Sequence, residues 1–375
     1  MRPAELPPPD SQALAASRAL LDRIGAELGA AANWISFARY MELVLYEPGL
    51  GYYASGARKL GAGGDFVTAP ELSPLFARTL ARQVAQVLEP GEAVLEFGAG
   101  SGALAEVLLG ELKDVNYLIL EPSAELADRQ RSRIGSRAKW IDHLPTRFRG
   151  VMLANEVVDA MPVHALAWTR EGVLERGVCA NEGQLAWSDS PAGGAVAAAA
   201  KDMEVEIHPS GRYESELAMF ARAWMRSLGR FLDRGALFAI DYGFPAREYF
   251  HPQRSMGTLA CHYRHHVHGD PFYLPGLQDV TAHVDFSALA RAATESGLDV
   301  LGYANQAQFL VNCGITELLA EENPADAKRY LPAAAAAQKL LSPSEMGELF
   351  KVLAVGRGVT RPLLGFSSGD RSHAL

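Results

Sequence analysis

The chain has 375 residues, 49% of them hydrophobic, and a formal net charge of −9 at pH 7. This length allows one large α/β domain with insertions or two domains. The negative charge argues against a general nucleic-acid-binding protein, because contacts to phosphates need a basic face.

Cysteines and apolar runs narrow the class of protein further. Cys179, Cys261 and Cys313 lie far apart without a CxxC pair, which excludes a disulfide framework and a zinc ribbon. The sequence has no apolar run long enough to span a bilayer and no signal-peptide pattern at its N-terminus. We therefore expect a cytoplasmic protein with no membrane span and no nucleic-acid partner.

Residues 1–88 are predicted to form an N-terminal helical region that includes a glycine-rich loop. This loop begins at Gly61 and ends at Ser73, a good N-cap that is followed by a proline favoured in the first helical turn. We expect helices from Ser11 or Ser17 to about Gly29, at residues 35–46 and at residues 75–88.

Residues 94–102 have the sequence Val-Leu-Glu-Phe-Gly-Ala-Gly-Ser-Gly, which predicts a strand followed by a turn. Gly98, Gly100 and Gly102 can turn the chain without a Cβ in the way. The helical periodicity after the turn completes the first unit of a doubly wound α/β fold, whose turn can hold a nucleotide-like ligand. The glycine spacing also fits a dinucleotide site. With Glu96, however, the run Glu-x-Gly-x-Gly-x-Gly resembles motif I of class I S-adenosylmethionine (SAM) methyltransferases.

A second predicted strand, at residues 117–120, ends in Glu121. An acidic residue at the tip of this strand can accept hydrogen bonds from both hydroxyls of a ribose. Since SAM and NAD both contain a ribose, Glu121 supports a ribosyl ligand without choosing between them.

From residue 93 onward, apolar strands alternate with helices, which is typical of a parallel sheet covered on both faces. Strands are expected at residues 93–97, 117–120, 139–142, 150–155, 237–241, 298–303 and 350–355. The main domain is predicted at residues 89–360, with insertions at about 164–235, 246–285 and 305–348, and a C-terminal tail at 361–375. The fold class is α/β: a doubly wound, Rossmann-like sheet with N-terminal helices and inserted hairpin and helical segments.

The first insertion is predicted to begin with β-hairpins. Between residues 164 and 187 apolar and polar residues alternate, with turns at Glu171-Gly172 and Glu182-Gly183. The small residues at 191–200 are expected to form a mobile linker, and an amphipathic helix is expected at residues 217–232. Glu214, before this helix, is either a site residue or an acid that the helix dipole favours.

The fourth predicted strand is followed by Asn155, Glu156 and Asp159. Ligands of this fold bind beyond the carboxyl ends of the strands, where the strand order reverses. Asn155 could orient an amine or the cofactor, and the two carboxylates could hold a cationic acceptor. The alternative is a capped strand-to-helix turn with surface acids. Asp241 ends the fifth strand at the same rim and is a further candidate.

His283 and Asp285 lie two residues apart, so both side chains point the same way if the segment is extended. They could bind or deprotonate an acceptor, or Asp285 could cap the next helix, and the two roles can coexist. His262 and His266 have a helical metal spacing, but no H-E-x-x-H motif is present. We therefore predict no metal site, and expect this histidine-rich segment to be a mobile loop that lines a substrate cleft.

Four segments of the chain stand out in order: Gly64-Asp-Phe-Val-Thr-Ala-Pro-Glu-Leu-Ser, the turn at residues 96–102, Asn155-Glu-Val-Val-Asp-Ala-Met-Pro-Val-His and Gly276-Leu-Gln-Asp-Val-Thr-Ala-His-Val-Asp-Phe. Together they resemble the MidA family, and the resemblance covers residues 35–356. It implies a SAM-dependent protein arginine methyltransferase. The family includes the mitochondrial complex I assembly methyltransferase, and in its eukaryotic members the acceptor is an arginine of a core complex I subunit.

Arginine is a poor nucleophile because its guanidinium is always protonated, and paired carboxylates can fix its plane and accept the proton that leaves. Glu156 and Asp159 are the first candidates for this role, with Glu214 and Asp285 behind them. The residues expected at the cofactor are Glu96, Gly98, Gly100 and Gly102 at its amino-acid and ribose portions, Glu121 at the ribose, Asp142 or His143 at the adenine edge, and Asn155. The resemblance adds Thr68 and Pro70, with Phe66, as a lid over the methionine end.

The sequence leaves other functions open. An NAD-dependent oxidoreductase would share the architecture, although no Tyr-x-x-x-Lys pair lies near the predicted site. A non-catalytic assembly or chaperone protein could retain a methyltransferase fold, although Glu96 and Glu121 are intact. A small-molecule methyltransferase would share the cofactor site, whereas the insertions favour a protein acceptor. The acceptor protein, and whether the chain forms a homodimer, do not follow from the sequence.

Overall fold

A computed structural model of the chain describes residues 6–55, 68–203, 205–207 and 209–375. Its strands are β1 (Ile35–Ser36), β2 (Ala93–Phe97), β3 (Asn116–Leu120), β4 (Lys139–Ile141), β5 (Phe148–Asn155), β6 (His164–Thr169), β7 (Gly172–Asn181), β8 (Gln184–Pro191), β9 (Arg212–Leu217), β10 (Leu232–Phe244), β11 (Ala260–Tyr263), β12 (His266–His268), β13 (Asp279–Thr281), β14 (Val284–Asp285), β15 (Asp299–Asn305) and β16 (Phe350–Arg357). Its α-helices are α1 (Ser11–Ala30), α2 (Phe37–Tyr46), α3 (Ala69–Leu72), α4 (Pro74–Val87), α5 (Ala103–Glu111), α6 (Ala124–Ile134), α7 (Gly194–Lys201), α8 (Met219–Phe231), α9 (Ala246–Tyr249), α10 (Phe286–Glu295), α11 (Gln306–Asn312), α12 (Ile315–Ala320), α13 (Ala327–Leu341) and α14 (Met346–Leu349).

An eight-stranded sheet with the order β15-β16-β10-β5-β2-β3-β4 forms the centre of the fold, and β14 pairs with β10. Strands β4, β3, β2, β5 and β10 are parallel, whereas β16 is antiparallel to both of its neighbours. The chain places β3 and β4 on one side of β2 and then returns to place β5 on the other side. The strand order therefore reverses at β2, which is where ligands bind in this architecture. The predicted doubly wound α/β fold is confirmed.

The central strands are buried on both faces because two layers of helices cover them. Val94 and Val151 pack in the core formed with α4, α5 and α11, whereas their neighbours Leu95 and Met152 pack with α8 and α10. All four side chains are fully buried. Since adjacent residues of a strand point to opposite faces, this double burial accounts for the apolar runs that predicted the strands.

The first insertion forms β-hairpins, as predicted. Strands β6, β7 and β8 are antiparallel neighbours, and β1 and β9 complete a five-stranded sheet. Helices α1 and α2 pack on this sheet, because Ile24 and Phe37 share a core with Val178 of β7. The N-terminal region and the first insertion are therefore packed together.

One prediction for the first insertion is wrong, and a predicted helix is confirmed with a start two residues later. The stretch at 191–200, predicted as a mobile linker, contains α7, and Ala200 is buried in a core with Trp168. Its run of alanines favours a helix, because alanine has the highest helix propensity. The helix predicted at 217–232 begins at Met219, because the preceding residues pair with β6 as strand β9. Pairing of β9 with β6, rather than local propensity, decides this start.

The histidine-rich segment is a hairpin rather than a helix or a loop. Strands β11 and β12 pair with each other, and β13 pairs with β11 in a three-stranded sheet. His262 and His266 lie on facing strands at adjacent positions of the register, so they have no helical spacing. In the described part of the chain, no group of three or more His, Cys, Asp or Glu side chains could hold a metal ion. Among the same residues, no helix is long and apolar enough to cross a membrane.

The last residues of the chain pack against the central sheet. The ring of Phe366 lies 5.4 Å from that of Phe309, between centroids. Tyr303 of β15 donates its backbone N–H to Asp370 Oδ1 (3.1 Å), and its carbonyl accepts the N–H of Arg371 (2.6 Å). The predicted tail therefore covers backbone groups of β15, the strand at the edge of the sheet.

Candidate active site

A cavity of about 710 Å³ opens at the carboxyl ends of β2, β3, β5 and β10. One half is lined by the glycine turn and the end of β3. The other half is lined by the end of β5, by the N-terminal region and by the β11–β12–β13 sheet. The predicted site residues that line it are Thr68, Pro70, Glu96, Gly98, Gly100, Glu121, Asn155, Glu156, Asp159 and His283.

The glycine turn keeps its backbone close to the cavity. Gly98 and Gly100 have φ angles of 56° and 54°, a region that favours glycine, and both line the cavity. Gly102 is not among the lining residues. Its φ is 81°, and a Cβ there would lie 3.1 Å from Ile134 Cδ1, so this glycine lets α6 pack closely against the turn.

Glu121 is held at the tip of β3 with its carboxylate at the cavity. One oxygen accepts the backbone N–H of Ser123 (3.0 Å), and the other accepts from Gln130 Nε2 (2.9 Å). The same Gln130 nitrogen donates to the carbonyl of Gly100 (3.0 Å), which ties the acid to the glycine turn. Burial raises the pKa of Glu121. Such a fixed acceptor is suited to the hydroxyls of a ribose.

Glu96 lies on β2 beneath the turn and is 3% exposed. Its Oε2 accepts the hydroxyl of Tyr117 (2.6 Å) from the neighbouring strand. Burial raises the pKa of Glu96 to about 7, and the charge of Glu121 contributes. Glu96 therefore has both a structural partner and a position in the cavity wall.

Asn155 and Glu156 leave β5 through a left-handed residue. Glu156 has a φ of 53°, and its N–H donates to the carbonyl of Ile240 on β10 (2.9 Å). Its Oε1 accepts from Asn155 Nδ2 (3.1 Å) and from the backbone N–H of Ala69 (3.4 Å). Burial raises the pKa of Glu156 to about 8, and the charge of Asp159 contributes.

Asp159 is fixed from β10. The hydroxyl of Tyr242 donates to Asp159 Oδ2 (2.5 Å). The fully buried Asp241 accepts the N–H groups of Val158 (2.9 Å), Asp159 (3.3 Å) and Tyr242 (3.0 Å). Burial raises the pKa of Asp159 to about 6, and burial also raises that of Asp241, which does not line the cavity. Asp241 therefore shapes the turn that presents Asp159.

Two buried oxygens of this turn have no hydrogen-bond partner among the described residues: Asn155 Oδ1 and Asp159 Oδ1. Buried polar atoms are normally paired, because an unpaired one costs about 1–3 kcal/mol. Both residues line the cavity, together with Glu156 and the buried Asp279. The arrangement is therefore suited to a cationic ligand that donates several hydrogen bonds.

His283 lines the same half of the cavity with a neutral imidazole ring. Its backbone N–H donates to Thr258 Oγ1 (3.1 Å), and its Nδ1 lies 3.4 Å from the carbonyl oxygen of Thr258. Its ring stacks on Phe244 at 5.3 Å between centroids. Burial lowers the pKa of His283 to about 4, and the charges of Arg254 and Lys351 contribute.

Two residues expected at the adenine edge lie outside the cavity lining. Asp142 and His143 have 91% and 85% exposed side chains, pair with each other, and are not among the lining residues. Strand β4 ends at Ile141, and the chain then turns into solvent. The cavity wall beyond Glu121 is apolar instead, with Leu126, Val157, Met161 and Trp224.

Two of the lower-ranked acids also lie outside the cavity lining. Asp285 is the N-cap of α10, where its Oδ1 accepts the N–H of Ala288 (3.0 Å). Glu214 accepts from Arg176 and, at 2.6 Å, from Arg212. The cap alternative therefore describes Asp285, and Glu214 belongs to an ion-pair cluster on the inserted sheet. Phe66 lies outside the described residues.

Three tyrosines and an aspartate line the cavity without having been among the predicted site residues. Tyr53 donates its hydroxyl to Asp279 Oδ2 (2.7 Å), and Tyr46 donates to the carbonyl of Ala160 (2.9 Å). Tyr242 follows the candidate Asp241 directly in the sequence. Asp279 lies in the segment that begins at Gly276, one of the four on which the family resemblance rests, so the sequence pointed to it. Nothing in the local sequence connects Tyr46 and Tyr53 to β5.

Comparisons with known proteins show the family and the fold of the chain. The family model described as "Putative S-adenosyl-L-methionine-dependent methyltransferase" matches residues 75–304. Protein arginine methyltransferase NDUFAF7, mitochondrial, of Danio rerio is 28% identical over 370 residues, which cover 86% of this chain and 83% of that protein. The Mus musculus protein of the same name is 29% identical over 372 residues, covering 86% and 80%. A Burkholderia thailandensis crystal structure bound to S-adenosyl-homocysteine is 50% identical, with a TM-score of 0.94 over 99% of this chain and 100% of that chain.

Proposed function

Because this chain belongs to the family of S-adenosyl-L-methionine-dependent methyltransferases, we propose that it methylates an arginine side chain of a protein. The relatives named protein arginine methyltransferase support arginine as the acceptor. The observation that carries the proposal is the pair of unpartnered oxygens on Asn155 and Asp159, beside Glu156, in the cavity that the glycine turn also lines.

The residues around the glycine turn fit SAM. The neighbour bound to S-adenosyl-homocysteine shares half of its sequence and nearly all of its fold with this chain. In this chain Glu121 presents a fixed carboxylate for ribose hydroxyls, and the backbone at Gly98 and Gly100 is open to the cavity. The apolar side chains of Val157, Met161 and Trp224 would cover the adenine. Bound SAM supplies an electrophilic methyl group on a sulfonium.

The carboxylates of Glu156 and Asp159 would hold the guanidinium. A cation between them lowers their pKa values, so both become charged when the acceptor binds. Two ionised carboxylates fix the guanidinium plane by charge-assisted hydrogen bonds. Asn155 Oδ1 adds a neutral acceptor that can orient one N–H. Holding the acceptor nitrogen in line, away from water, is the main task of such a site.

A proton leaves the acceptor during the reaction. The product methylguanidinium carries one positive charge, as the substrate did, so the nitrogen that gains a methyl group must lose a proton. Glu156 is the stronger base of the two carboxylates, because its pKa is raised to about 8. Asp159 stays tied to Tyr242 and keeps its charge on the guanidinium. The two carboxylates therefore divide proton transfer and charge pairing between them.

The identity of the acceptor protein is a further part of the proposal. The resemblance to the MidA family supports a core subunit of respiratory complex I. A cytoplasmic location is likewise expected from the sequence, whereas the oligomeric state does not follow from it. The comparisons favour neither an NAD-dependent oxidoreductase nor a non-catalytic protein, since the matched family is one of methyltransferases.

Calorimetric titration with SAM, S-adenosyl-homocysteine and NAD tests the cofactor assignment. We expect both sulfur ligands to bind, NAD not to bind, and Glu121→Ala to weaken both sulfur ligands, since it removes the ribose acceptor. Transfer of a radiolabelled methyl group into the proteins of a cell extract, followed by amino-acid hydrolysis, then tests the acceptor. Label in methylarginine supports the proposal. Label in another amino acid, or none with SAM bound, contradicts it.

A further inference from the structure

One face of the β11–β12–β13 sheet is a wall of the cavity. The residues that line it are Ala260 and His262 on β11, Val267 on β12, and Asp279 and Thr281 on β13. The opposite face carries Cys261 and Val280, which are buried in the core formed with α1 and α2. The sheet therefore packs on α1 and α2 through one face. Because successive side chains of a strand point to opposite faces, the other set of side chains lines the cavity.

Three of these side chains form a row across the sheet. His262 is paired with Val267 on one side and with Asp279 on the other. Val267 is 67% exposed, whereas Asp279 is 2% exposed. The row thus runs from the solvent at the mouth of the cavity to a buried carboxylate inside it.

The outer edge of β12 is an open hydrogen-bonding edge. No strand in the described ranges pairs with it on the side away from β11. Tyr263 and His266 flank a two-residue turn and face each other, so they exchange the hydrogen bonds nearest the turn. At the next pair, His262 and Val267, the backbone groups point outward. The N–H and C=O of Val267 therefore face away from the sheet, beside a side chain that faces the cavity.

The two-residue turn between β11 and β12 has a defined backbone conformation. Arg264 and His265 have φ values of 46° and 64°, as a type I′ turn requires at both central positions. Neither residue is a glycine, so the conformation carries strain that the surrounding structure must hold. His266 Nδ1 lies 2.8 Å from the carbonyl oxygen of Arg264, and Arg264 donates to the carbonyl of Pro8 (2.9 Å). These contacts fix the position of the edge at the cavity mouth.

We infer that an extended segment of the acceptor protein pairs with β12 at Val267 and thereby presents its arginine to the cavity. This inference rests on the proposed function. A residue opposite Val267 in an added strand has its side chain on the same face as Val267, which is the cavity face. Charge complementarity selects the occupant, because Glu156, Asp159 and Asp279 line the cavity behind this edge. The backbone of Val267 binds the backbone of the acceptor segment, and the three acids favour a cationic side chain.

A backbone test compares Val267→Pro with Val267→Ala. Proline removes the outward N–H, whereas alanine keeps it and makes a similar loss of side-chain surface. We expect Val267→Pro to transfer at least fivefold less radiolabelled methyl into the proteins of a cell extract than Val267→Ala. Both variants should bind S-adenosyl-homocysteine within twofold of the wild type, since Val267 belongs to the wall formed by the β11–β12–β13 sheet and not to the glycine turn.

A charge test compares Val267→Lys with Val267→Glu, which both keep the N–H. A lysine beside the incoming arginine repels it, and a glutamate attracts it, so transfer should be at least fivefold lower for Val267→Lys. If Val267→Pro also loses affinity for S-adenosyl-homocysteine, only the comparison of Val267→Lys with Val267→Glu tests the inference. Equal methyl transfer by the two variants of each pair that is used overturns the inference but does not contradict the proposed function. A wild type that binds the cofactor but labels no protein contradicts the proposed function itself.

Discussion

Acidic side chains at the end of β5 are chemically unequal although they lie within one turn. Glu156 and Asp159 both have raised pKa values because burial penalises their charged forms. Asp159 has the lower value because the Tyr242 hydroxyl donates to it. When the environment gives two neighbouring acids different pKa values, one of them commonly transfers a proton while the other stays charged.

Removing the charge of Asp159 should remove most of the activity. We expect Asp159→Asn to lower methyl transfer by roughly 100-fold, as is usual for the loss of one fixed electrostatic partner of a reacting group. Affinity for S-adenosyl-homocysteine should change less than threefold, because Asp159 lies in the acceptor half. Initial rates of radiolabel transfer and calorimetry measure the two effects. Asp142→Asn is the matched control, since Asp142 is exposed and outside the cavity lining.

The raised pKa of Glu156 predicts how stability depends on pH. In the folded protein this carboxyl binds its proton up to about pH 8, whereas its ordinary pKa is 4.5. The folded state therefore binds more protons between these values, and the stability that this group contributes is lost as pH rises through the window. Glu156→Gln has no such loss, so we expect it to exceed the wild type in stability by roughly 4 kcal/mol at pH 8, because each unit of the window from 4.5 to about 8 is worth about 1.4 kcal/mol.

Urea unfolding of both proteins at pH 5, 6.5 and 8 measures this difference. The two unfolding free energies should converge toward pH 5, where Glu156 is protonated in the folded state. A difference that stays constant with pH would show that Glu156 is charged throughout and that burial does not govern its pKa.

At the scale of elements, the segment between α9 and β11 is fixed by a buried acid from β9. Glu216 accepts the N–H of Thr258 through Oε1 (3.0 Å) and the hydroxyls of Thr258 (2.8 Å) and Tyr249 (3.0 Å) through Oε2. Thr258 in turn holds the backbone and ring of His283. One carboxylate on the inserted sheet thus sets the position of a cavity residue.

Gly257 makes this approach possible, and its replacement should be costly. Its φ is 76°, and a Cβ there would lie 2.1 Å from Glu216 Oε1. We expect Gly257→Ala to destabilise the protein by about 2–3 kcal/mol, from left-handed strain and the displaced carboxylate together. Gly211→Ala is the control, because its φ is 86° but its nearest neighbour, Arg170 Nε, lies 3.8 Å away. The control should cost about 1 kcal/mol in the same urea unfolding measurement. Equal losses would mean that the carboxylate moves aside freely.

At the scale of the whole molecule, the cavity is assembled from distant parts of the chain. Tyr53 of the N-terminal region donates to Asp279 of β13, and Tyr46 donates to the carbonyl that follows Asp159. The glycine turn, the end of β5 and the third sheet complete the enclosure. The N-terminal region, the central sheet and the β11–β12–β13 sheet therefore all contribute walls to one cavity.

Binding at such a position should stabilise the folded chain as a unit. S-adenosyl-homocysteine at about 100 times its Kd is expected to raise the free energy of unfolding by about 2.7 kcal/mol. Urea unfolding with and without the ligand measures this. Glu121→Ala at the same ligand concentration should gain clearly less, because its Kd is higher. A wild type whose unfolding midpoint does not move would contradict the cofactor assignment.

Several parts of the fold and the site follow from local sequence. The strand at Ala93–Phe97 matches its predicted bounds, and α4 (Pro74–Val87) begins and ends within one residue of the helix predicted at 75–88, because apolar runs and caps report burial and helix ends directly. The turns at Glu171-Gly172 and Glu182-Gly183 also lie where their hairpin signal predicts. Asn155, Glu156, Asp159 and Glu121 reach the cavity because parallel strands end at the same edge of the sheet.

Only the tertiary structure decided the rest, because those features depend on long-range pairing. Residues 212–217 form a strand since β6 offers them an edge, and the helix predicted from residue 217 therefore begins at Met219. Asp142 and Asp285 carry the same chemistry as Asp159, yet one points into solvent and the other caps a helix. Tyr46, Tyr53 and Val267 reach the cavity because the N-terminal region and the third sheet fold over the central strands. A sequence determines which side chains are buried or capped locally, whereas the packing of remote segments determines which of them meet.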